Sequence, residues 1–383
     1  MEGRTKIKVL HLLKTSEGAS WAFRLMKELK AHNVEVHVAL PKGGRLYSAY
    51  TEAGIITHPM DFSLKKINSS IKDLRTIVEE VSPDIIHSHF VLTTLVMRLG
   101  LRNFKIPRVF EVPGPLHLEH LFTRLIDTKS ATQEDYWIAT CKWTYDRYLK
   151  SGIHSHKLFL TYYGSDISYP EYQKGKLRAE YNISEDIFIV GLVAYMYAPK
   201  KWLGQKRGLK GHEDFIDALS FIQQKYPNIL GVCIGGAWNG ATKYEQSIIQ
   251  YCNDRNVNMI FTGTRRNVGE LYQDIDCVVH PSHSENLGGA AESLALGIPT
   301  IASNVGGFPD IVLPNKTGLL VPPKNPKALA EAIEYMYNNG NEAQKMASNG
   351  RKYVSDLLDM KNTSNKVLEF YSSIISHYNE TLS

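Results

Sequence analysis

Two glutamates on either side of a pair of glycines form the pattern in this sequence that is best suited to chemistry. Glu285 and Glu292 are seven residues apart, with Gly288 and Gly289 between them. The apolar run Cys277–His280 predicts a strand before this segment, and a helical pattern starts near Gly288 and stops at Gly297. A strand, a loop and a helix in this order build phosphate and sugar sites.

Each part of this segment has a physical use. Glycines at a helix start let a ligand approach the backbone, and the free amides there attract an anion such as a diphosphate. The Glu292 carboxylate is able to accept two neighbouring ribose hydroxyls, and Glu285 is placed to bond hydroxyls of a second sugar. The alternative for Glu292 is an ordinary acidic residue that the helix dipole favours.

Two further features lie after predicted strands of the first half. Gly18 belongs to the turn 15–20, which begins a helix and needs no ligand to explain it. His87 and His89 end another strand, and such a pair is able to bind a metal. No third ligand is evident near them in the sequence, so loop packing is favoured and we expect no metal.

The elements that position these residues alternate between short β-rich runs and amphipathic helices. This alternation predicts two doubly wound parallel sheets in tandem, an α/β fold with ligands at the carboxyl ends of the strands. The polar segment 162–186 predicts the linker. The domains are then 1–165, joined by a C-terminal helix at about 361–383, and 166–360. The predicted strands are 8–13, 35–40, 55–59, 85–87, 108–112, 137–139, 157–160, 187–193, 229–234, 259–262, 277–280, 299–302 and 318–321.

Composition narrows the function classes. A chain of 383 residues with 43% apolar and 22% charged residues is globular and long enough for two domains. Its four cysteines do not have the spacing of zinc ligands or disulfide frameworks, and the three that lie in apolar runs are expected in the core. Its apolar runs are too short to span a bilayer, so we expect a cytoplasmic protein.

The charge distribution suggests what the chain contacts. The net charge of +5 fits an anionic substrate, and no motif for nucleic-acid binding is present. Basic residues at 24, 27 and 30, beside Trp21 and Phe23, leave peripheral contact with an acidic membrane at the inner face open. An ordinary solvated helix face is the favoured alternative.

The segment around Glu292 resembles the family 4 retaining glycosyltransferases of the GT-B fold, which have two Rossmann-like domains facing a central cleft. The resemblance covers nearly the whole chain in order. It rests on Glu285, Gly288 and Glu292 followed by the run 295–299 (ALGIP), on 304–312 (NVGGFPDIV), on 317–322 (TGLLVP), on 261–263 (FTG) and on 210–212 (KGH). The family's glutamates are usually eight apart, and its usual diphosphate-binding arginine is replaced here by Tyr195. A basic loop, 200–210, follows.

The resemblance implies a set of site residues. His117, with His120 in reserve, would line the sugar site, because the family's histidine position is occupied by Pro113. Lys206 or Arg207 would replace the missing arginine. The catalytic candidates are His117, Lys210 and Glu285. The candidates for binding the nucleotide-sugar are Gly18, Lys206, Arg207, Lys210, Gly263, Arg265, Asn286, Leu287, Gly288, Gly289 and Glu292.

The expected activity is transfer of a hexose-type sugar from a nucleotide-diphosphate sugar, with UDP favoured, to an unidentified hydroxyl acceptor. Retention of anomeric configuration, no metal and no cofactor are implied. The acceptor would be a sugar, a lipid-linked sugar or a small molecule of polysaccharide, glycolipid or secondary-metabolite synthesis. The alternative is a non-catalytic partner that binds a nucleotide-sugar and supports another glycosyltransferase.

Overall fold

The computed structural model describes residues 6–112, 114–165, 173–200 and 204–382. The chain forms two compact units, Met1–Asp166 with Leu358–Ser383 and Ile167–Leu357. Three parts of the sequence interpretation lie outside the described residues: Pro113, the stretch 166–172 of the predicted linker and the stretch 201–203 of the basic loop.

The first unit contains a seven-stranded parallel sheet in the order β3-β2-β1-β4-β5-β6-β7. Its strands are β1 Lys8–Leu12, β2 Glu35–Leu40, β3 Ile56–Pro59, β4 Ile85–Ser88, β5 Arg108–Glu111, β6 Asp135–Ala139 and β7 Leu158–Leu160. Its helices are α1 Ser20–Ala31, α2 Tyr47–Glu52, α3 Ile67–Val81, α4 Val91–Gly100, α5 Leu116–Glu119, α6 Leu121–Lys129, α7 Lys142–Lys150 and the C-terminal helix Met360–Leu382.

Alternating side chains of β1 build a core on each face of this sheet. Val9 points into a cluster with α1 and the C-terminal helix, where Tyr371 is fully buried. Leu10 and Leu12 point into a second cluster with α3 and α4. Strands buried on both faces read as continuous apolar runs, which is the pattern that predicted them.

The second unit contains a six-stranded parallel sheet in the order β10-β9-β8-β11-β12-β13. Its strands are β8 Phe188–Val193, β9 Ile229–Ile234, β10 Met259–Phe261, β11 Cys277–His280, β12 Thr300–Ser303 and β13 Leu319–Val321. Its helices are α8 Lys176–Tyr181, α9 His212–Ile222, α10 Thr242–Asn253, α11 Val268–Tyr272, α12 Gly288–Ala295, α13 Phe308–Ile311, α14 Pro326–Asn338 and α15 Gly340–Leu357.

These two sheets confirm the predicted fold class. Each predicted strand is present, with ends that differ by no more than two residues. In each sheet the first three strands of the chain lie side by side in sequence order. The fourth strand then pairs with the free side of the first strand. The strand order therefore reverses between β1 and β4 and between β8 and β11, and ligands of such sheets bind at the carboxyl ends beside this reversal.

Buried charges hold β5 and β6 to the helices of the first unit. Asp135 accepts from Arg98 Nε at 3.0 Å and from an Arg108 Nη at 3.1 Å, and all three side chains are at most 2% exposed. A buried charge is tolerated only where its partners are present.

Replacing Asp135 with alanine tests this arrangement, because it leaves two buried guanidinium groups short of a partner. We expect Asp135→Ala to lower the free energy of unfolding by about 3–5 kcal/mol, measured by urea denaturation. Lys105→Ala is the control, since Lys105 is 64% exposed in its ion pair with Glu134 and should lose less than about 1 kcal/mol. Equal losses in the two variants would contradict this account.

Candidate active site

An ion pair joins two loops at the carboxyl ends of β8 and β11. Lys210 Nζ donates to Glu285 Oε2, and these side chains are 20% and 14% exposed. Burial by itself lowers the pKa of Lys210, but the Glu285 carboxylate raises it further, and the net pKa lies above the usual value. Lys210 is therefore a permanent cation that an anionic ligand is still able to reach.

Both oxygens of the Glu285 carboxylate already accept hydrogen bonds from the protein. Its Oε1 accepts from the Asn286 backbone N–H at 3.1 Å, while its Oε2 is bonded to Lys210. The Glu285 carbonyl accepts from the Gly307 N–H at 3.2 Å. The side chain thus orients Lys210, and the predicted contact of Glu285 with a second sugar stays a prediction.

Backbone contacts fix the Lys210 loop against the loop that follows β11. Gly211 has φ +72°, and a Cβ at this position would lie 2.1 Å from the Pro281 carbonyl oxygen. The His283 N–H donates to the Leu209 carbonyl at 2.8 Å. Only glycine allows this approach, so Gly211 fixes the position of the neighbouring Lys210 backbone.

The start of α12 contains the two glycines of the sequence motif. Gly288 has φ +45°, and a Cβ there would lie 2.7 Å from the Glu285 Cδ. A Cβ on Gly289 would lie 2.9 Å from the His280 ring. Both glycines therefore make room for side chains of the protein itself. Their backbone amides still belong to the first turn, where a helix leaves its N–H groups without internal partners.

Glu292 lies one turn further along α12. Burial raises its pKa above the ordinary value, and the Tyr272 hydroxyl, 3.4 Å from Oε2, acts in the opposite direction. The carboxylate is partly exposed and is available to a neutral donor such as a ribose hydroxyl. Nothing in the local sequence signalled Tyr272, which reaches Glu292 from the end of α11.

The two residues between the glutamate and the glycines are buried. Asn286 is 5% exposed, and its Oδ1 has no hydrogen-bond partner within the described residues. Leu287 is also 5% exposed and caps α12. Leu287 is thus in contact with the protein interior, and the predicted ligand contact of both residues stays a prediction.

The two candidate cations of the basic loop, Lys206 and Arg207, have different surroundings. Arg207 forms ion pairs with Asp214 and Asp217 of α9 and bonds the Tyr251 hydroxyl at 3.1 Å. Its charge is therefore compensated within the protein, and the structure does not favour the predicted diphosphate contact of Arg207. Lys206 is exposed, and it remains the candidate replacement for the missing arginine.

The predicted residues at the end of β10 also have different surroundings. Gly263 has φ +66°, and the space beside its Cα is open. Arg265 forms a two-pronged ion pair with Glu180 of α8, with both distances 2.6 Å. This pair occupies the guanidinium, so a donor contact by Arg265 would require it to open.

Tyr195, at the position of the missing arginine, lies in a group of aromatic rings. The Tyr195 ring centroid is 4.9 Å from that of Trp238, and Tyr197 is 5.6 Å from it. Tyr195 and Trp238 are about two-fifths exposed. Sequence reasoning missed Trp238, although a tryptophan within the glycine-rich run 235–240 directly after β9 is a usable signal.

In the first unit, His117 is in contact with other groups of the protein. Its Nε2 lies 3.0 Å from the Tyr148 hydroxyl and 3.4 Å from Asp127, while its Nδ1 lies 3.2 Å from the Gly114 carbonyl. The side chain is buried, and both nitrogens are occupied. These contacts hold its loop in place, and the predicted contact of His117 with a sugar stays a prediction. The reserve, His120, is half-buried at the end of α5.

Two other predictions for the first unit can be compared with the structure. Gly18 has open space beside its Cα, so no side chain crowds this turn. Trp21 and Phe23 point inward, with ring centroids 4.2 Å from Tyr163 and 5.0 Å from Tyr50. Both side chains are half-buried, and the predicted contact with a membrane stays a prediction. In the part of the chain that the structure describes, no helix has the length and apolar character that crossing a bilayer requires.

The interpretation of His87 and His89 as a pair without a third ligand nearby is wrong. His11 of β1 offers a ring nitrogen within 4.8 Å of theirs. Strand register explains the miss, because His11 pairs directly with His87 across the parallel ladder.

Family models match both units. Residues 18–169 match the model "Glycosyltransferase Family 4", and residues 203–353 match "Glycosyl transferases group 1". With the two sheets and the glutamate motif in place, the chain belongs to the family 4 glycosyltransferases and has the GT-B fold.

Individual relatives agree with this assignment. The capsular polysaccharide biosynthesis glycosyltransferase CapM of Staphylococcus aureus is 24% identical over 367 residues, 91% of this chain and 92% of CapM. A D-inositol 3-phosphate glycosyltransferase of Corynebacterium urealyticum is 24% identical, over 77% of this chain and 72% of that protein. The crystal structure of HepE from Anabaena in complex with UDP-glucose has a TM-score of 0.80 at 20% identity, covering 96% of this chain and all of HepE.

A pair of glycine variants tests how the Lys210 loop is held. Gly211→Ala places a methyl group against the Pro281 carbonyl, whereas Gly240 has φ +76° with open space beside it. Gly240→Ala should lose about 1–2 kcal/mol from backbone strain alone, and Gly211→Ala should lose clearly more. Chemical denaturation measures both. Equal losses would show that the contact with Pro281 does not constrain the loop.

Proposed function

We propose that this glycosyltransferase moves a hexose-type sugar from a UDP-sugar to a hydroxyl acceptor with retention of anomeric configuration. The observation that carries the proposal is the Lys210 ammonium, held by Glu285 beside the start of α12. A cation and free amides in one place are what a departing diphosphate requires. The HepE complexes with UDP and UDP-glucose support the choice of donor.

In this proposal the diphosphate takes over Lys210 from Glu285. Negative charge grows on the diphosphate as the glycosidic bond breaks, and Lys210 stabilises it together with the amides of Gly288 and Gly289. Glu292 accepts the ribose hydroxyls and so fixes the donor. The leaving phosphate takes the proton of the acceptor hydroxyl. Side chains and amides supply the positive charge of this step, so we propose that catalysis needs no metal.

The acceptor is proposed by analogy alone. CapM acts in capsular polysaccharide biosynthesis by its name and covers nearly the whole chain, which favours an acceptor of cell-surface polysaccharide synthesis. The second candidate is a non-catalytic partner that binds a nucleotide-sugar, and the specific observation for it is Tyr195 in the arginine position. Transfer or slow hydrolysis of UDP-sugars by the purified chain distinguishes the two.

Removing the Lys210 charge tests the proposed catalytic step. Loss of a charged hydrogen bond costs about 1.5–3 kcal/mol, so Lys210→Ala should lower kcat/KM by roughly ten- to over a hundredfold in a donor-hydrolysis or transfer assay. Lys225→Ala is the matched control, because Lys225 forms an exposed ion pair with Glu334 in the same unit. Unchanged turnover in a folded Lys210→Ala protein would remove Lys210 from the site.

The raised pKa of Glu292 predicts a pH dependence of donor binding. A carboxylate with a raised pKa takes up its proton at a higher pH than an ordinary glutamate, and its capacity to accept two hydroxyls is then lost. The affinity for UDP-glucose, which has no phosphate titration in this range, should therefore fall on acidification before pH 4.5 is reached. Isothermal titration calorimetry at several pH values measures it.

Tyr272→Phe sharpens this experiment. The Tyr272 hydroxyl lowers the pKa of Glu292, so its removal should move the fall in affinity to higher pH. Glu292→Gln should bind UDP-glucose more weakly and with little pH dependence. A wild-type affinity that stays constant down to pH 4.5, or a Glu292→Gln protein with the wild-type profile, would contradict the ribose contact.

A further inference from the structure

Three histidines and a glutamate fill the carboxyl end of the first sheet, on the neighbouring strands β1, β4 and β5. His11, His87 and His89 are fully buried, and Glu111 is 1% exposed. Parallel register brings His11 beside His87, and Glu111 ends the next strand. This position beside the reversal of strand order is where such sheets bind ligands. The proposed sugar transfer uses none of these residues.

The distances from Glu111 to the two histidines are close to those between metal ligands. Glu111 Oε2 lies 3.2 Å from His87 Nε2 and 3.4 Å from His89 Nδ1. Zinc binds imidazole nitrogen and carboxylate oxygen at about 2.0–2.2 Å in tetrahedral geometry, which places two ligand atoms roughly 3.3–3.5 Å apart. The 3.4 Å distance lies within this range, and the 3.2 Å distance lies just below it.

The same three atoms are in ion-pair contact with one another, but without well-formed hydrogen bonds. Among the residues that the structure describes, none makes a hydrogen bond of suitable geometry with His87 Nε2, His89 Nδ1 or Glu111 Oε2, although all three atoms are buried. Leaving buried polar atoms unpaired is costly. Each nitrogen lies at ion-pair distance from the Glu111 oxygen without a well-aligned hydrogen bond, an arrangement that a shared cation would satisfy.

The remaining ring nitrogens are already oriented. His87 Nδ1 lies 2.5 Å from the Tyr371 hydroxyl of the C-terminal helix, and His89 Nε2 lies 2.8 Å from His11 Nδ1. Metal-binding histidines bond their second nitrogen to such a partner, which fixes the tautomer that presents the other nitrogen to the ion. His11 and Tyr371 are thus positioning residues.

We propose that His87, His89 and Glu111 bind one divalent transition-metal ion of the zinc class. Imidazole and carboxylate donors suit zinc and its first-row neighbours. Calcium and magnesium require oxygen ligands, so this donor set does not suit them. Because the ligands are buried, the ion does not meet a sugar or a nucleotide. It joins the ends of β4 and β5 and, through Tyr371, ties the C-terminal helix to the sheet.

Metal titration of the full-length chain tests this proposal. Untagged protein is stripped with a chelator and titrated with Co²⁺, whose visible absorption reports a low-symmetry protein site. We expect saturation at one equivalent, displacement by Zn²⁺ and a higher melting temperature with either ion. A stripped protein that takes up neither ion, and whose melting temperature neither ion changes, would overturn the proposal. The cluster would then be held by the ion pairs of Glu111 with the histidines alone.

Variants assign the ligands. His89→Gln and Glu111→Gln should abolish stoichiometric binding, and Tyr371→Phe should weaken it by about 10–100-fold without changing the stoichiometry. The control is His58→Gln, because His37 and His58 form a second histidine pair on the same sheet, 2.9 Å apart, beside Glu35. This control should bind as the wild type does.

The opposite pattern would overturn the assignment. Loss of binding in His58→Gln, or wild-type affinity in Tyr371→Phe together with a folded Glu111→Gln, would place the metal elsewhere. If Glu111→Gln fails to fold, the wild-type titration and Tyr371→Phe decide the question by themselves.

Discussion

The attraction between the Lys210 ammonium and the Glu285 carboxylate holds together the two loops that form the candidate site of the second unit. It joins residues that are 75 positions apart, and it fixes the loop before α9 against the loop before α12. The close approach of Gly211 to Pro281 and the bond from His283 to Leu209 serve the same junction. Without a ligand, the two charges compensate each other, which allows a cation to stay partly buried until an anion replaces the glutamate.

Sheet topology explains why polar residues gather where they do. In both units the strand order reverses beside the first strand, so two neighbouring loops leave the sheet in opposite directions. The second unit has a lysine, a glutamate and a helix start at this place. The first unit has three histidines and a glutamate there, and these side chains are buried. One architecture thus supports a partly exposed ion pair, the proposed anion site, in one unit and a buried cluster in the other.

Much of the fold could be predicted from the sequence, because strands buried on both faces leave continuous apolar runs. Helix α15 has no strong apolar stripe in the sequence, because its buried face consists largely of small residues, including Ala343, Ala347 and Gly350. The place of Glu292 near the start of a helix could be predicted from the local sequence alone, because a strand, a loop and a helix follow one another there. Contacts between distant residues did not: the carboxylates that hold Arg207, the Tyr148 hydroxyl beside His117 and the pairing of His11 with His87 all depend on strand order and loop packing.

The most direct test of the central claim is the stability of the purified chain with nucleotides and no added metal. UDP and UDP-glucose are compared with GDP, ADP, dTDP and uridine by thermal unfolding. If Lys210 and the start of α12 bind a diphosphate and Glu292 binds the ribose, UDP at about 100 times its Kd should stabilise the protein by ~2.7 kcal/mol. Uridine should stabilise it far less. A folded protein that none of the diphosphates stabilises would contradict the account.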